Sequence, residues 1–67
     1  MLRNRVREMR ARHSLTQTEL AQLVGATRQT IGMIEKGDYA PSVALALKIA
    51  HAFRENLEAI FWLEEES

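Results

Sequence analysis

QTELAQLVGATRQTIGMIEK, residues 17–36, is the stretch whose reading decides the fold. Thr16 before it and Glu19 within it form a capping box, in which hydroxyl and carboxylate satisfy two N–H groups left unpaired at a helix start. The helix so opened carries Leu20, Ala21, Leu23 and Val24 on one side. It stops at Gly25, which is free to take the left-handed conformation that ends many helices. Thr27 caps a second helix, in which Ile31 and Ile34 recur at helical spacing and Gly37 marks the end. Arg28, Gln29, Thr30, Gly32 and Met33 lie between these caps with nothing evident to pack against. Two short amphipathic helices therefore meet at a tight corner, the second showing polar side chains at its leading end.

An arrangement of this kind is what a helix-turn-helix places in a DNA major groove. Ala21, Gly25, Ile31 and Ile34 hold the positions where such motifs usually have a small residue, the corner glycine and two buried aliphatics. With TQTELA (16–21) before the corner and IEKGDYAPS (34–42) after it, the chain resembles the Cro and phage-repressor type, also called the xenobiotic-response-element family. The resemblance runs from about Leu2 to Phe61. It implies an all-α, five-helix lambda-repressor-like DNA-binding domain. It further implies a cytoplasmic transcriptional regulator, most simply a dimeric repressor of an inverted-repeat operator. The rival reading is the antitoxin, or protein-interaction module, of a toxin–antitoxin pair.

The 67 residues make one domain, with the motif at 17–36 and a C-terminal helix and acidic tail at 56–67. So small a core is only just sufficient, and self-association is a common source of extra stability. With no cysteine there is neither a disulfide framework nor a Cys-based zinc site, which fits a cytosolic protein. No apolar run approaches the roughly 18 residues of a membrane span. The arginine-rich start lacks the apolar segment of a secretory signal and reads as part of the domain.

Net charge is zero, but its distribution is uneven. Residues 1–36 carry a balance of +4 and residues 37–67 a balance of −4. Such a dipole can turn its basic side to a phosphate backbone and its acidic end away; the plainer alternative is ordinary solvated surface.

In chain order, Leu2, Val6 and Met9 recur at helical spacing, so residues 2 to about 12 are expected to form the first helix. Basic amphipathic helices also bind membranes, but this apolar stripe is narrow and the core needs it. Arg10 borders that stripe, four residues after Val6, and Glu35 sits in the last turn of the third helix, where the macrodipole disfavours an anion. An ion pair between them accounts for both and is a pairing frequent in the family; two unrelated surface charges are the other reading. After the loop Asp38-Tyr39-Ala40-Pro41, Ser42 caps a fourth helix that is apolar on most sides, with Val43, Leu45, Ala46, Leu47, Ile49, Ala50 and Phe53. Asn56 caps a fifth, of Leu57, Ile60 and Phe61, running into Glu64-Glu65-Glu66. No segment shows period-two alternation.

Catalytic chemistry is absent from this pattern. His13 and His51 have no carboxylate or Cys at ligand-like spacing, so no metal site is expected. The hydroxyls of Ser14, Thr16, Thr27 and Ser42 are better explained as caps than as nucleophiles. There is no phosphate-cradling glycine loop and no acid–base pair in an evident pocket. No cofactor, enzyme activity or small-molecule effector is expected.

For double-stranded DNA, phosphates supply most of the affinity and base edges the choice of sequence. Gln17 and Thr18, beside the free N–H groups of a helix start, can meet a phosphate. Thr27, Lys36 and Tyr39 are further phosphate candidates. Arg28 suits guanine O6 and N7, and Gln29 suits adenine N6 and N7, each good pair discriminating by roughly 1–3 kcal/mol. A plain phosphate contact is the other role for Arg28. Thr30 suits a base or a phosphate, and Met33 a thymine methyl or the core beside Ile34. The family's homodimers span half-sites about 34 Å apart. Phe61, Trp62 and Leu63 are the candidate interface, with Phe61 in the core and Trp62 a lone exposed ring as the alternative. Three departures from the family pattern stand out: Gly32 where a polar side chain is usual, Asp38 in place of a basic residue, and Arg54-Glu55 where a glycine and an apolar residue are frequent.

Overall fold

The structure, a computed structural model, describes residues 1–65; Glu66 of the expected acidic tail lies outside the described residues. In chain order the elements are β1 (Leu2–Asn4), α1 (Val6–Arg12), α2 (Gln17–Val24), α3 (Arg28–Lys36), α4 (Val43–Ala52), α5 (Leu57–Ile60) and β2 (Phe61–Leu63). Five helices are present, as the sequence pattern requires. The two strands are an addition to it.

Both ends of the chain correct the sequence reading. The first helix begins at Val6, not Leu2, because Asn4 intervenes: its Oδ1 accepts the Val6 N–H at 3.1 Å. Asn favours such local turns over a helix interior. At the other end α5 is a single turn, and the chain leaves it at Phe61 with extended backbone (φ −126, ψ 138). Phe61, Trp62 and Leu63 are therefore strand residues rather than helical ones. They run antiparallel to β1, with Leu2 opposite Leu63, Arg3 opposite Trp62 and Asn4 opposite Phe61. The ladder is lengthened by Arg5 N–H donating to the Ile60 carbonyl at 3.0 Å and Glu64 N–H to that of Met1 at 2.8 Å. Aromatic side chains suit a pleated strand, but three residues are too few to display alternation.

The core lies where the helices meet. Val6 and Met9 enter from α1, Leu20 and Val24 from α2, Ile31 and Ile34 from α3, and Ile49 from α4, with Phe53, Ile60 and Phe61 closing the far side. Burying side chains of this size stabilises by roughly 1.5–3 kcal/mol each. The fourth helix is less enclosed than its composition suggests. Ala46, Ile49 and Ala50 are buried, while Val43 and Leu47 face solvent.

The four longer helices end alike. In each, a residue with positive φ follows the helix, and the next N–H reaches back five residues: Leu15 to Arg10, Ala26 to Ala21, Asp38 to Met33 and Glu55 to Ala50, all at 2.9–3.0 Å. These bonds satisfy carbonyls that a helix terminus otherwise leaves unpaired. Gly25 (φ 71) and Gly37 (φ 81) take this conformation freely, whereas Ser14 (φ 55) and Arg54 (φ 57) do so against side-chain crowding. The absent glycine at position 54 thus leaves the turn intact and strained. A left-handed non-glycine costs about 1–2 kcal/mol, and glycine returns roughly 0.4–1 kcal/mol of that by loosening the unfolded chain. Arg54→Gly is expected to raise the unfolding free energy by about 0.5 kcal/mol, and Gly25→Val to lower it. Urea denaturation measures both, and a loss of stability in Arg54→Gly would contradict the assignment of strain.

Candidate nucleic-acid interface

α2 and α3 are each positioned by a cap. The Thr16 hydroxyl accepts the Glu19 N–H at 3.0 Å, and the Glu19 carboxylate accepts the Thr16 N–H at 2.9 Å. The backbone bond from Thr16, with its side chain second, lowers the Glu19 pKa below the ordinary carboxylate value. The stabilisation carried by the ionised cap is therefore complete above that ordinary value and is lost as pH falls through the lowered one. At the start of α3 the Thr27 hydroxyl accepts the Thr30 N–H at 3.1 Å and shares a hydrogen bond with the Thr30 hydroxyl at 2.9 Å. Thr30 is thus held toward its own cap.

Beneath α3, Ile31 and Ile34 are essentially fully buried. Arg28 and Gln29, on the first turn, are exposed, and Met33 is half-buried. Helical spacing sets Gln29 opposite Ile31 and Ile34, while Arg28 stands at the flank of the buried stripe, one turn before Ile31, and is exposed there. Lys36, the last residue of α3, and Tyr39, in the loop after it, are exposed, and Thr18 is exposed at the start of α2. A shallow concavity near that start is lined by Arg10, Thr16, Gln17, Thr18 and Arg28. Gln17 and Thr18 of α2 and Arg28 of α3 therefore share one surface.

A hydrogen-bonded chain runs under this face. Arg10 Nε lies 2.6 Å from Glu35 Oε2, and Arg10 Nη2 donates to Glu35 Oε1 at 3.2 Å. The remaining Arg10 nitrogen, Nη1, donates to the Leu15 carbonyl at 2.9 Å. Side-chain exposure is 17% for Arg10 and 6% for Glu35, so the pair is screened from water. The hydrogen bond to Glu35, against an opposing effect of burial, holds the Arg10 pKa above its ordinary value. Glu35 Oε1 also accepts from Gln17 Nε2 at 3.0 Å, and Gln17 Oε1 accepts from Arg28 Nη1 at 3.2 Å. Gln17 is accordingly half-buried and committed to two partners, a placement that its position at a helix start did not disclose. Gly32 lies against it. A Cβ there would sit 3.6 Å from Gln17 Nε2, an ordinary van der Waals contact, so an alanine would touch the amide without displacing it.

Asn4 escaped the sequence reading. Its Nδ2 donates to the Ile34 carbonyl at 2.9 Å, tying the end of α3 to the start of α1. An Asn just ahead of an apolar-periodic helix was the available signal. The candidate dimer residues separate: Phe61 turns into the core, Trp62 lies beneath Arg5 with the guanidinium 4.7 Å from the ring centroid, and Leu63 is 74% exposed. Phe61 being buried within its own chain, only Trp62 and Leu63 are left at the surface. His13 stacks on Phe53 with centroids 5.3 Å apart. Among the described residues no His, Asp or Glu cluster is arranged to hold a metal, and no helix is long and apolar enough to cross a membrane.

Two helices at a glycine corner, the second anchored by isoleucines with its leading polar residues bare, define a helix-turn-helix. Comparison with known proteins agrees. The Helix-turn-helix family model HTH_3 matches residues 6–60. The uncharacterized HTH-type transcriptional regulator YgzD of Bacillus subtilis is 54% identical over 66 residues, covering 98% of this chain and 100% of that protein. An uncharacterized HTH-type transcriptional regulator of Methanothermobacter thermautotrophicus is 53% identical over 66 residues, covering 97% and 96%. The restriction-modification controller protein C.AhdI of Aeromonas hydrophila has a similar structure, with a TM-score of 0.76 at 33% identity over 81% of this chain and 82% of that one. This chain belongs to the helix-turn-helix family of transcriptional regulators, of the xenobiotic-response-element type, and its fold is that family's DNA-binding domain rather than an enzyme class.

Removing one partner of a buried pair strands the other charge, at a cost of about 3–5 kcal/mol. Arg10→Met is therefore expected to lower the melting temperature by more than about ten degrees, and Arg10→Met with Glu35→Leu to recover much of the loss. Calorimetry reads both. A change within about two degrees for Arg10→Met would show that the pair braces nothing.

Proposed function

We propose that the chain is a sequence-specific repressor that acts as a homodimer on a short inverted-repeat operator in the cytoplasm, without a small-molecule effector. The observation that carries this reading is the exposure of Arg28 and Gln29 on the first turn of a helix anchored in the core by Ile31 and Ile34. Entry of α3 into a major groove brings those two side chains to base edges first. Arg28 takes guanine through O6 and N7, and Gln29 takes adenine through N6 and N7. Thr30 and Met33 stand behind them as further base contacts, Met33 offering its thioether end to a thymine methyl.

Phosphate contacts fall to Thr18 and the remaining amide hydrogen of Gln17 at the start of α2, to Thr27 at the start of α3, to Lys36 in its last turn and to Tyr39 beyond its end. The loop's Asp38 adds no attraction there. Two copies are needed because one domain makes few contacts, and half-sites about 34 Å apart match the reach of a two-fold dimer. Trp62 and Leu63 on β2 are the surface offered to the second copy. Repression follows by occlusion of the promoter.

Selection of bound duplexes from random sequence tests the assignment. Arg28→Ala is expected to flatten preference at one base pair per half-site by about 1–3 kcal/mol, while Lys36→Ala weakens all sequences alike. Unchanged selected sequences in Arg28→Ala would remove the base-reading role. Affinity should fall steeply with salt, as counterion release requires. Sedimentation at micromolar concentration is expected to show a dimer in wild type and less of it in Leu63→Asp; a monomer alone would refute the dimeric part.

A further inference from the structure

The outer face of the hairpin carries charge that the operator contacts above do not use. Leu2, Asn4 and Phe61 turn toward the core, so the alternation of paired strands sets Arg3 and Arg5 on the outer face, with Trp62 and Glu64 opposite them. The Asn4 amide, donating to the Ile34 carbonyl at 2.9 Å, fastens β1 along the end of α3. Arg3 and Lys36 consequently line one shallow depression.

The three arginine–carboxylate pairs among the described residues are held very differently. Arg10 is locked on Glu35 at 2.6 Å with both side chains largely buried, and Arg12 meets Glu8 at 3.0 Å one turn away on α1. Arg3 Nη1 stands 3.7 Å from Glu64 Oε2, beyond hydrogen-bond reach, with both side chains more than half exposed. A pair of that kind contributes little to stability. A phosphate offers the same guanidinium short, charge-assisted bonds in a fork geometry. Lys36 has no carboxylate partner among the described residues.

We infer that Arg3 is a further phosphate anchor beside Lys36, and that the Glu64 carboxylate occupies in the free protein the place where a DNA phosphate is received. The inference rests on the phosphate role proposed for Lys36. Glu64 is kept at hand by the ladder, its N–H donating to the Met1 carbonyl at 2.8 Å, so the carboxylate returns to Arg3 when DNA leaves. Binding then exchanges one anion for another at Arg3. The exchange lowers affinity for every sequence alike and leaves base choice to α3. Glu64 belongs to the acidic half of the chain, and through this contact that half tempers the basic one.

Fluorescence anisotropy over a salt series tests this with the full chain, on the duplex that wild type selects and on a scrambled duplex of equal length. Arg3→Gln is expected to weaken binding to both by about three- to tenfold and to reduce the salt slope by about one. Glu64→Gln is expected to tighten both by about two- to fivefold, and to gain nothing in an Arg3→Gln background. Glu58→Gln, the same change of charge on α5, should tighten neither. A misfolded variant cannot bind more tightly, so the opposite signs separate a lost contact from a lost fold. Affinity and salt slope unchanged in Arg3→Gln would overturn the anchor. A gain from Glu64→Gln that persists without Arg3, or that Glu58→Gln matches, would reduce the effect to general repulsion and overturn the exchange. Equal affinity of wild type for the two duplexes would overturn the operator reading alone, because a phosphate contact carries no sequence; binding to neither would overturn both.

Discussion

Everything depends on the third helix being half sunk. Ile31 and Ile34 are drawn into the core by the same force that closes any small domain, and the helical repeat then leaves Gln29 on the opposite side and Arg28 exposed at the flank. Three devices hold that depth: the Thr27 cap at the leading end, the Asn4 carboxamide on the Ile34 carbonyl, and the Arg10–Glu35 pair. The last has an unusual economy. An anion in the final turn of a helix opposes the macrodipole, yet here it is offset by a guanidinium from α1 and reused as the acceptor that fixes Gln17. The exposed start of α2 and the brace between α1 and α3 therefore share one carboxylate.

How much of this was legible depends on the length scale of each signal. The corner between α2 and α3 could be read because caps, glycine and aliphatic spacing all agree over twenty consecutive residues. The Arg10–Glu35 contact could be anticipated because each residue was out of place by itself, one beside an apolar stripe and the other against a dipole. The hairpin could not. Leu2–Asn4 and Phe61–Leu63 are three-residue strands that pair across nearly the whole chain, so neither shows a period and neither has its partner nearby. Leu2 was consequently assigned to the apolar repeat of α1, and Phe61 to that of α5.

Positions that depart from the family pattern separate once the packing is visible. Gly32 lies against the Gln17 amide, a relation between two helices that no local pattern encodes. Arg54 occupies a left-handed turn with the same closing hydrogen bonds as the glycine turns, so the geometry of the helix end is kept and the residue bears the strain. Tyr39 is exposed in the loop after α3. Nothing in the structure explains Asp38.

The pairing of β1 with β2 has an experimental corollary. Trp62 is the only tryptophan in the chain, and it sits on the hairpin under Arg5 rather than among the buried aliphatics. Indole emission therefore reports whether the two termini are zipped together, not whether the aliphatic interior is intact. If the ends fray before the bundle melts, fluorescence and helical circular dichroism will trace different curves, and the gap between them measures the independence of the clasp.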